Sequence, residues 1–583
     1  MAGSDSLAEG LFPPFDRRFL EGDETFSRIG SGELGGKAAG LAFIRTAVLP
    51  AMSERAPSAG AVSVPTLAVI TTDVFDAFLS RNDLHDIARS DLPDDRIAHA
   101  FQLAELPAEY LGDLEALVRK THVPLAVRSS SMLEDALAHP FAGAYATKMI
   151  PNNQHMADDR FLKLTEAVKF VYASTFFAAA RTYRASVGVS DDSEKMAVIV
   201  QEVVGNRHGD RFYPEVSGVA RSYNYYPMPH SRPENGIAGL ALGLGKTIVD
   251  GGVCWGYDPT RPAAPPPAAS PHAVLAETQT SFWAVNMGPV SYDPLRETEY
   301  MTRSSLAAAE ADETLHLVAS TYDPESDRLC PGVGRSGPRV IDFAPLLSLR
   351  LLPLNECIQA MLAGSREAMG QEVEIEFAAT LGQPRDQALR VGFLQVRPMA
   401  APGSSVTVTE EELHRESTLV ASRNCLGNGV LDRLHDIVYV RPESFDPAKT
   451  TRIAEELAAI NRTLLANRER YVLIGFGRWG TSDPWLGVPV EWGQISGAGV
   501  IVEATLPSMS PEMSQGSHFF HNLIGSNILY MSVPSEAGLR VDWDWLAGQE
   551  TVDQTEFVRH VRTRAAVTVR VDGTSRRGVI DRG

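Results

Sequence analysis

Two alternating runs in the middle of the chain limit its fold more tightly than any other feature. Glu372-Val-Glu374-Ile-Glu376-Phe-Ala reads as a strand, and Val391-Gly-Phe-Leu-Gln395-Val-Arg397-Pro reads as its partner. Residues two apart on a strand share a face, so Glu374 and Glu376 point one way, and Gln395 and Arg397 do likewise. Paired, the two runs present carboxylates, an amide oxygen and a guanidinium together. Carboxylate and carbonyl oxygens suit Mg²⁺, and a guanidinium beside them suits a phosphoryl group in transfer. A solvated strand face laced with cross-strand salt bridges would carry the same pattern.

Upstream lie further elements that could serve a phosphate. Gly35-Gly-Lys37 opens an apolar helix; a glycine turn there lets an anion approach backbone N–H groups, and Lys37 adds a point charge. Taken alone, these three residues read more simply as a helix cap with a solvated lysine. Strand-like runs follow at 64–72 and at Leu125-Ala-Val-Arg128, the latter leading into a Ser129-Ser130-Ser131 turn with Glu134 and Asp135 beyond. Polar helical sequence spans 85–120, and 160–188 has helical spacing of Leu164, Val168, Val171 and Tyr172. The run 196–204 is a nearly continuous apolar strand, and a helix near 352–370 precedes the paired runs. A Pro/Ala-rich stretch at 259–271 reads as an excursion. Ala400 to Ser405 reads as a linker, giving one domain over 1–400 and a smaller α/β domain over 406–583.

With 583 residues the chain has room for about three or four structural units. Its 73 acidic against 53 basic residues give a net charge of −20, which repels nucleic acid and anionic membrane. A polyanion such as ATP must therefore be met by local cations and N–H groups. The four cysteines form no CxxC pair and read as reduced thiols. No basic, apolar leader opens the sequence, and no apolar run reaches the ~20 residues of a membrane span. The expectation is a cytoplasmic protein.

The order of these pieces resembles the nucleotide-binding domain of phosphoenolpyruvate synthases and pyruvate phosphate dikinases. The pattern runs through Gly35-Gly-Lys37, Val64-Pro65 to Thr71-Thr72, Val127-Arg128-Ser129-Ser130 with Glu134-Asp135, and Phe141-Ala-Gly143. It continues with Val200-Gln201, Ser217-Gly-Val219 and Gly243-Leu-Gly245, and closes on Ile375-Glu376 and Leu394-Gln395-Val-Arg397-Pro398. The resemblance implies an α+β chain whose first domain is ATP-grasp-like. It implies that Lys37 and Arg128 hold the triphosphate, with Gly243 and Gly245 in a phosphate loop. Gln201, Glu202 and Val203 would contact adenine through their backbone. Glu376 and Gln395, with Glu374 beside them, would hold Mg²⁺, and Arg397 would face the transferred phosphate. Three departures stand out: Lys246 follows Gly-Leu-Gly where the family has Glu, residues 382–390 lengthen the hairpin, and Ala220-Arg221 replaces a Phe-Thr after Ser-Gly-Val.

The family's dikinases carry a swivelling domain with a phosphorylated His, and many end in a pyruvate-binding barrel for which this chain is too short. The nearest counterpart to that His is His518, between the strand-like runs 499–503 and 528–533. A His at a helix N-terminus suits a phosphate, although a buried structural His fits the same sequence. Gly475-Phe-Gly477-Arg478-Trp479-Gly480, with Trp485 beyond, reads either as a shaped pocket or as an aromatic-plugged turn. In the pocket reading Arg478 binds an anion and the indoles stack on a ring.

The functional expectation is an ATP-dependent phosphotransferase of the dikinase type. It would act with Mg²⁺ on a small-molecule acceptor or a partner protein, with Arg397, Arg478 and His518 as the reacting groups. Alternatives are an ADP-forming kinase, an ATP-binding regulatory or scaffold protein without turnover, and, with no residue in its favour, an acyl-phosphate-forming ligase.

Overall fold

The computed structural model describes residues 11–16, 25–55, 62–90, 92–132, 134, 145–178, 180–181, 184, 194–224, 231–249, 253–264, 270–276, 278–382, 389–399, 406–467, 469–480, 487–490, 494–506, 528–534, 539, 541–573 and 575–582. The chain mixes helices and sheets in both halves, an α+β protein. It divides into two compact units. Met1–Ser222, Gly236–Ala264 and Ser270–Met399 make the first; Tyr223–Asn235, Pro265–Ala269 and Ala400–Gly583 make the second.

The first unit is organised by two sheets. One has five strands in the order Phe26–Ile29, Leu67–Ile70, Met196–Glu202, Leu125–Ser131 and Thr147–Ile150. Its first pair is parallel and the rest antiparallel. The central strands are apolar on both faces because both are covered. Ala68, Ile70, Val198 and Val200 pack into one core with the helices Thr72–Arg81, Asp94–Leu103, Ala108–Lys120 and Ala157–Ser174. Leu67, Val69, Ala197 and Ile199 face another core, shared with the second sheet and with the helices Gly36–Phe43 and Leu354–Met369. This accounts for the unbroken apolar run at 196–204.

The second sheet has six strands: Trp255–Tyr257, Ile237–Ala241, Val216–Arg221, Val373–Thr380, Arg390–Pro398 and Val62–Ser63. The two alternating runs pair antiparallel as expected, Glu374 opposite Arg397 and Glu376 opposite Gln395, with a bulge just after Glu376. The other edge of Val373–Thr380 pairs with Val216–Arg221, which sets Glu374 opposite Arg221 as well.

Several sequence expectations are corrected. Within the run 64–72 only Leu67–Ile70 is strand; Val62–Ser63 forms a separate short strand ahead of Pro65. The long helix is Ala157–Ser174, ending well before residue 188. The serine-rich turn is no turn: the strand Leu125–Ser131 runs through all three serines, which are fully buried.

The second unit is built on one nine-stranded sheet with a large apolar core and a smaller cluster of Val408, Leu413, Ala421, Leu539 and Val579. Gly429–Val440, Tyr471–Phe476, Ala498–Ala504 and Leu529–Val533 lie parallel at its centre, and Gly429–Val440 pairs antiparallel with the long strand Val558–Asp572. The helix Thr450–Ala466 connects the first two parallel strands and buries Ile453, Leu457, Ile460 and Leu464 on one face. Among the described residues no helix is long and apolar enough to cross a membrane. None of the four cysteines forms a disulfide.

Candidate functional site

The site begins where the first helix meets the five-stranded sheet. A Cβ on Gly35 would lie 1.8 Å from the Ser130 carbonyl oxygen, and one on Gly36 1.7 Å from that of Glu134. Only glycine allows this approach, and Gly35 adopts a φ of 74° that other residues resist. The contact is then pinned by buried hydroxyls. Ser130 Oγ accepts from the Ala38 N–H at 3.1 Å and donates to the Leu34 carbonyl at 2.9 Å. Ser130 therefore holds the helix to the sheet.

Lys37 projects from the helix's first turn. Its Nζ donates to Glu134 Oε1 at 2.8 Å and to Ser129 Oγ at 3.1 Å. Glu134 is fixed in turn by the Ser129 hydroxyl at 2.9 Å and the Ser131 N–H at 3.0 Å. Glu134, whose partner role the sequence pattern gave no hint of, thus holds Lys37 at the sheet end. The preceding loop is anchored by Asp73, which accepts from the N–H groups of Ser31 and Gly32 at 3.0 and 2.9 Å. Burial works to raise the Asp73 carboxyl. The Thr71 hydroxyl and the Ser31 and Gly32 donors outweigh it and hold the group down at about 2.

Arg128 joins the two sheets. Its Nη1 donates to Gln201 Oε1 and to the Leu394 carbonyl, and its Nη2 to Gln395 Oε1, all at 3.1 Å. Three residues far apart in sequence, Arg128, Gln201 and Gln395, thus meet. Glu202 and Val203 follow Gln201, but their N–H groups donate to the carbonyls of Thr66 and Pro124 at 3.0 and 2.9 Å. An adenine contact from these two residues therefore falls to their carbonyl oxygens, which narrows the expected backbone contact. Burial raises the Glu202 carboxyl, against a hydrogen bond from Thr66.

Across the hairpin Glu376 stands opposite Gln395, two oxygen donors on neighbouring strands. This pair suits Mg²⁺, which takes one or two protein oxygens and completes its shell with water and phosphate oxygens. Glu374 departs from the expected metal role. Its two oxygens are taken by guanidinium groups, Oε2 by Arg221 Nε and Oε1 by Arg397 Nε and Nη2, the Nε of Arg397 at 2.7 Å. Burial pushes the Glu374 carboxyl up, but the charges and hydrogen bonds of Arg221 and Arg397 hold it below the usual carboxylate range. Arg221 was visible in the sequence only as a departure from the family pattern. Among the described residues no group of three or more His, Cys, Asp or Glu side chains is placed to hold a metal ion.

Gly243 turns at a φ of 86° after the strand Ile237–Ala241. Its carbonyl accepts from Ser217 Oγ at 2.7 Å, and Gly245 lies against the same serine. The short helix Lys246–Val249 starts directly afterwards.

The second unit brings fewer of the expected groups into view. His518 lies outside the described residues, as do Phe141-Ala-Gly143, Asp135 and Trp485. Arg478 follows the end of the parallel strand Tyr471–Phe476 and is half-buried. Trp479 does not offer a ring to a ligand: it is 1% exposed. Its N–H donates to Glu503 Oε1 at 3.0 Å, and its indole lies where a Cβ on Gly475 would be only 2.4 Å away. Tyr530 donates its hydroxyl to the other Glu503 oxygen. Burial, then the Glu503 charge, push that phenol well above its ordinary range. For Trp479 the plug is the correct reading.

The first unit thus sets Lys37 against Ser129 and Glu134, and Arg128 against Gln201 and Gln395, the latter paired across the hairpin with Glu376. Residues 31–417 match the family described as pyruvate phosphate dikinase, AMP/ATP-binding domain. The match covers more than half of the chain, and the chain belongs to that family, one of ATP-binding, kinase-like transferases. A phosphoenolpyruvate synthase from Aeropyrum pernix is 31% identical over 140 residues, which is 24% of this chain and 15% of that protein's length.

Proposed function

We propose that the chain is an ATP-dependent phosphotransferase of the dikinase type, binding MgATP in its first unit and passing a phosphoryl group to a small molecule or a partner protein. The observation that carries this reading is the junction of Arg128 with Gln201 and Gln395, which ties the end of one sheet to the oxygen pair of the other. Arg128 and Lys37 would take the phosphate chain, Lys37 exchanging its contact with Glu134 for phosphate oxygens. Glu376 and Gln395 would hold Mg²⁺, which would offset phosphate negative charge. Arg397 would meet the charge that develops on the transferred group. Carbonyls near Glu202 and Val203 would orient adenine, and the loop of Gly243 and Gly245 would close on the phosphates. His518 would be the first acceptor and Arg478 an anion contact in the second unit.

A second reading, ATP binding without turnover in a regulatory or scaffold protein, is favoured by one feature. Both Lys37 and Arg397 are paired with internal carboxylates, so each must give up a partner to engage phosphate. Chromatography of the nucleotide products, using full-length protein, MgATP and a metabolite pool, separates the readings. AMP with phosphate is expected of the dikinase. ADP would identify a direct kinase, and unchanged ATP with every acceptor would favour the regulatory reading. Arg397→Ala should slow product formation by about 10²–10³-fold. His518→Ala should abolish acid-labile label from β-³²P-ATP.

A further inference from the structure

Glu374 occupies a strand flanked on both sides, and the register gives it a guanidinium on each: Arg221 on one neighbour, Arg397 on the other. Each arginine takes a different oxygen of the same carboxylate. The carboxylate is buried, while each arginine side chain keeps about a quarter of its surface exposed, 24% for Arg221 and 23% for Arg397.

The charge count follows. Arginine stays protonated in proteins, and each oxygen of the Glu374 carboxylate accepts from a guanidinium, so two cations share one carboxylate. A Glu374–Arg397 pair alone would match one cation to one carboxylate. The next residues along the same two strands are Glu376 and Gln395, roughly 7 Å on at the rise of two strand residues. At that distance the positive charge that Arg221 adds is felt by a polyanion bound at the oxygen pair.

We propose that Arg221 is a positioning residue of the phosphoryl site. By taking half of Glu374 it neutralises that carboxylate, so the positive charge of Arg397 acts on the phosphates of a bound nucleotide. This rests on the proposed function and names a residue that the family pattern does not contain: Arg221 falls where that pattern has Phe-Thr. Arg221 acts through charge, and charge favours ligands by their phosphate number. A strut that only braced the sheet would treat AMP and ATP alike.

The test is calorimetric titration of the full-length chain with MgATP and with AMP, for wild type, Arg221→Gln, Arg221→Lys and Glu374→Gln, each checked by thermal melting. Arg221→Gln should weaken MgATP about tenfold and AMP less than about twofold, with the gap closing at high salt. Arg221→Lys should stay within about threefold of wild type for MgATP. Glu374→Gln leaves both cations in place and should bind MgATP at least as well as wild type. Equal losses for AMP and MgATP in Arg221→Gln, or no loss for either, would overturn the proposal. A Glu374→Gln protein that binds MgATP markedly worse than wild type would do the same, and this arm decides the matter if Arg221→Gln fails to fold. Wild-type protein that binds no MgATP removes the proposed function and this inference together. Wild-type binding with an unaffected Arg221→Gln removes this inference alone.

Discussion

The two units answer similar sequence signals differently. In the first, a glycine turn, a lysine and an arginine in an apolar strand become hydrogen-bonded contacts between side chains of separate elements. Lys37 comes from a helix start, Arg128 and Gln201 from one sheet, and Gln395 from another. In the second, a glycine-rich turn with an arginine and a tryptophan becomes packing. The Trp479 indole fills the space over Gly475, and the backbone N–H of Trp479 donates to the buried Glu503. Glycine with charge beside a strand end can mean close approach of an element or room for a plug. What separates them is whether polar groups from other strands converge on the same place.

That contrast can be broken by substitution. Trp479→Ala should cost about 3–5 kcal/mol, the usual range for removing a fully buried tryptophan. Urea denaturation should show the loss, with MgATP affinity unchanged. A mutant that melts normally but loses nucleotide binding would show that the second unit's turn belongs to the site after all.

A smaller effect sits in the first unit. Burial raises the Asp342 carboxyl to about 6, although the Ala344 N–H donates to it at 3.0 Å. Its folded value lies above the unfolded one of 3.8. The buried charge therefore opposes folding above pH 6, and the penalty fades as pH falls from 6 towards 4. Asp342→Asn keeps the acceptor without the charge. It should stabilise the unit by about 2 kcal/mol at pH 7.5, read as a rise of a few degrees in melting temperature, and by almost nothing at pH 4. An equal gain at both pH values would mean that the charge is not the cause.

The paired strands Val373–Thr380 and Arg390–Pro398 were legible because alternation with charged residues has one reading, and the antiparallel register put Glu376 across from Gln395. The bulge after Glu376 left no trace in that alternation. The strand through Ser129, Ser130 and Ser131 was hidden because its polar residues are satisfied internally, by the Leu34 carbonyl and by Glu134. Composition reads such a run as a turn. Glu374 was taken for a metal ligand because the partner that changes its role, Arg221, stands about 150 residues away, and strand order is not written in local periodicity. The reading of Trp479 turned on burial, which a Gly- and Trp-rich segment leaves open.

Titration of full-length protein with MgATP, wild type against Arg128→Ala, tests the central claim most directly. Arg128 alone ties the Gln201 strand to the Gln395 strand by its side chain in the contacts described above. Saturable binding by wild type, weakened about tenfold or more in Arg128→Ala with the melting temperature little changed, is the expected result. No binding by wild type, or equal affinity in the two proteins, would contradict a nucleotide-phosphate site at this junction.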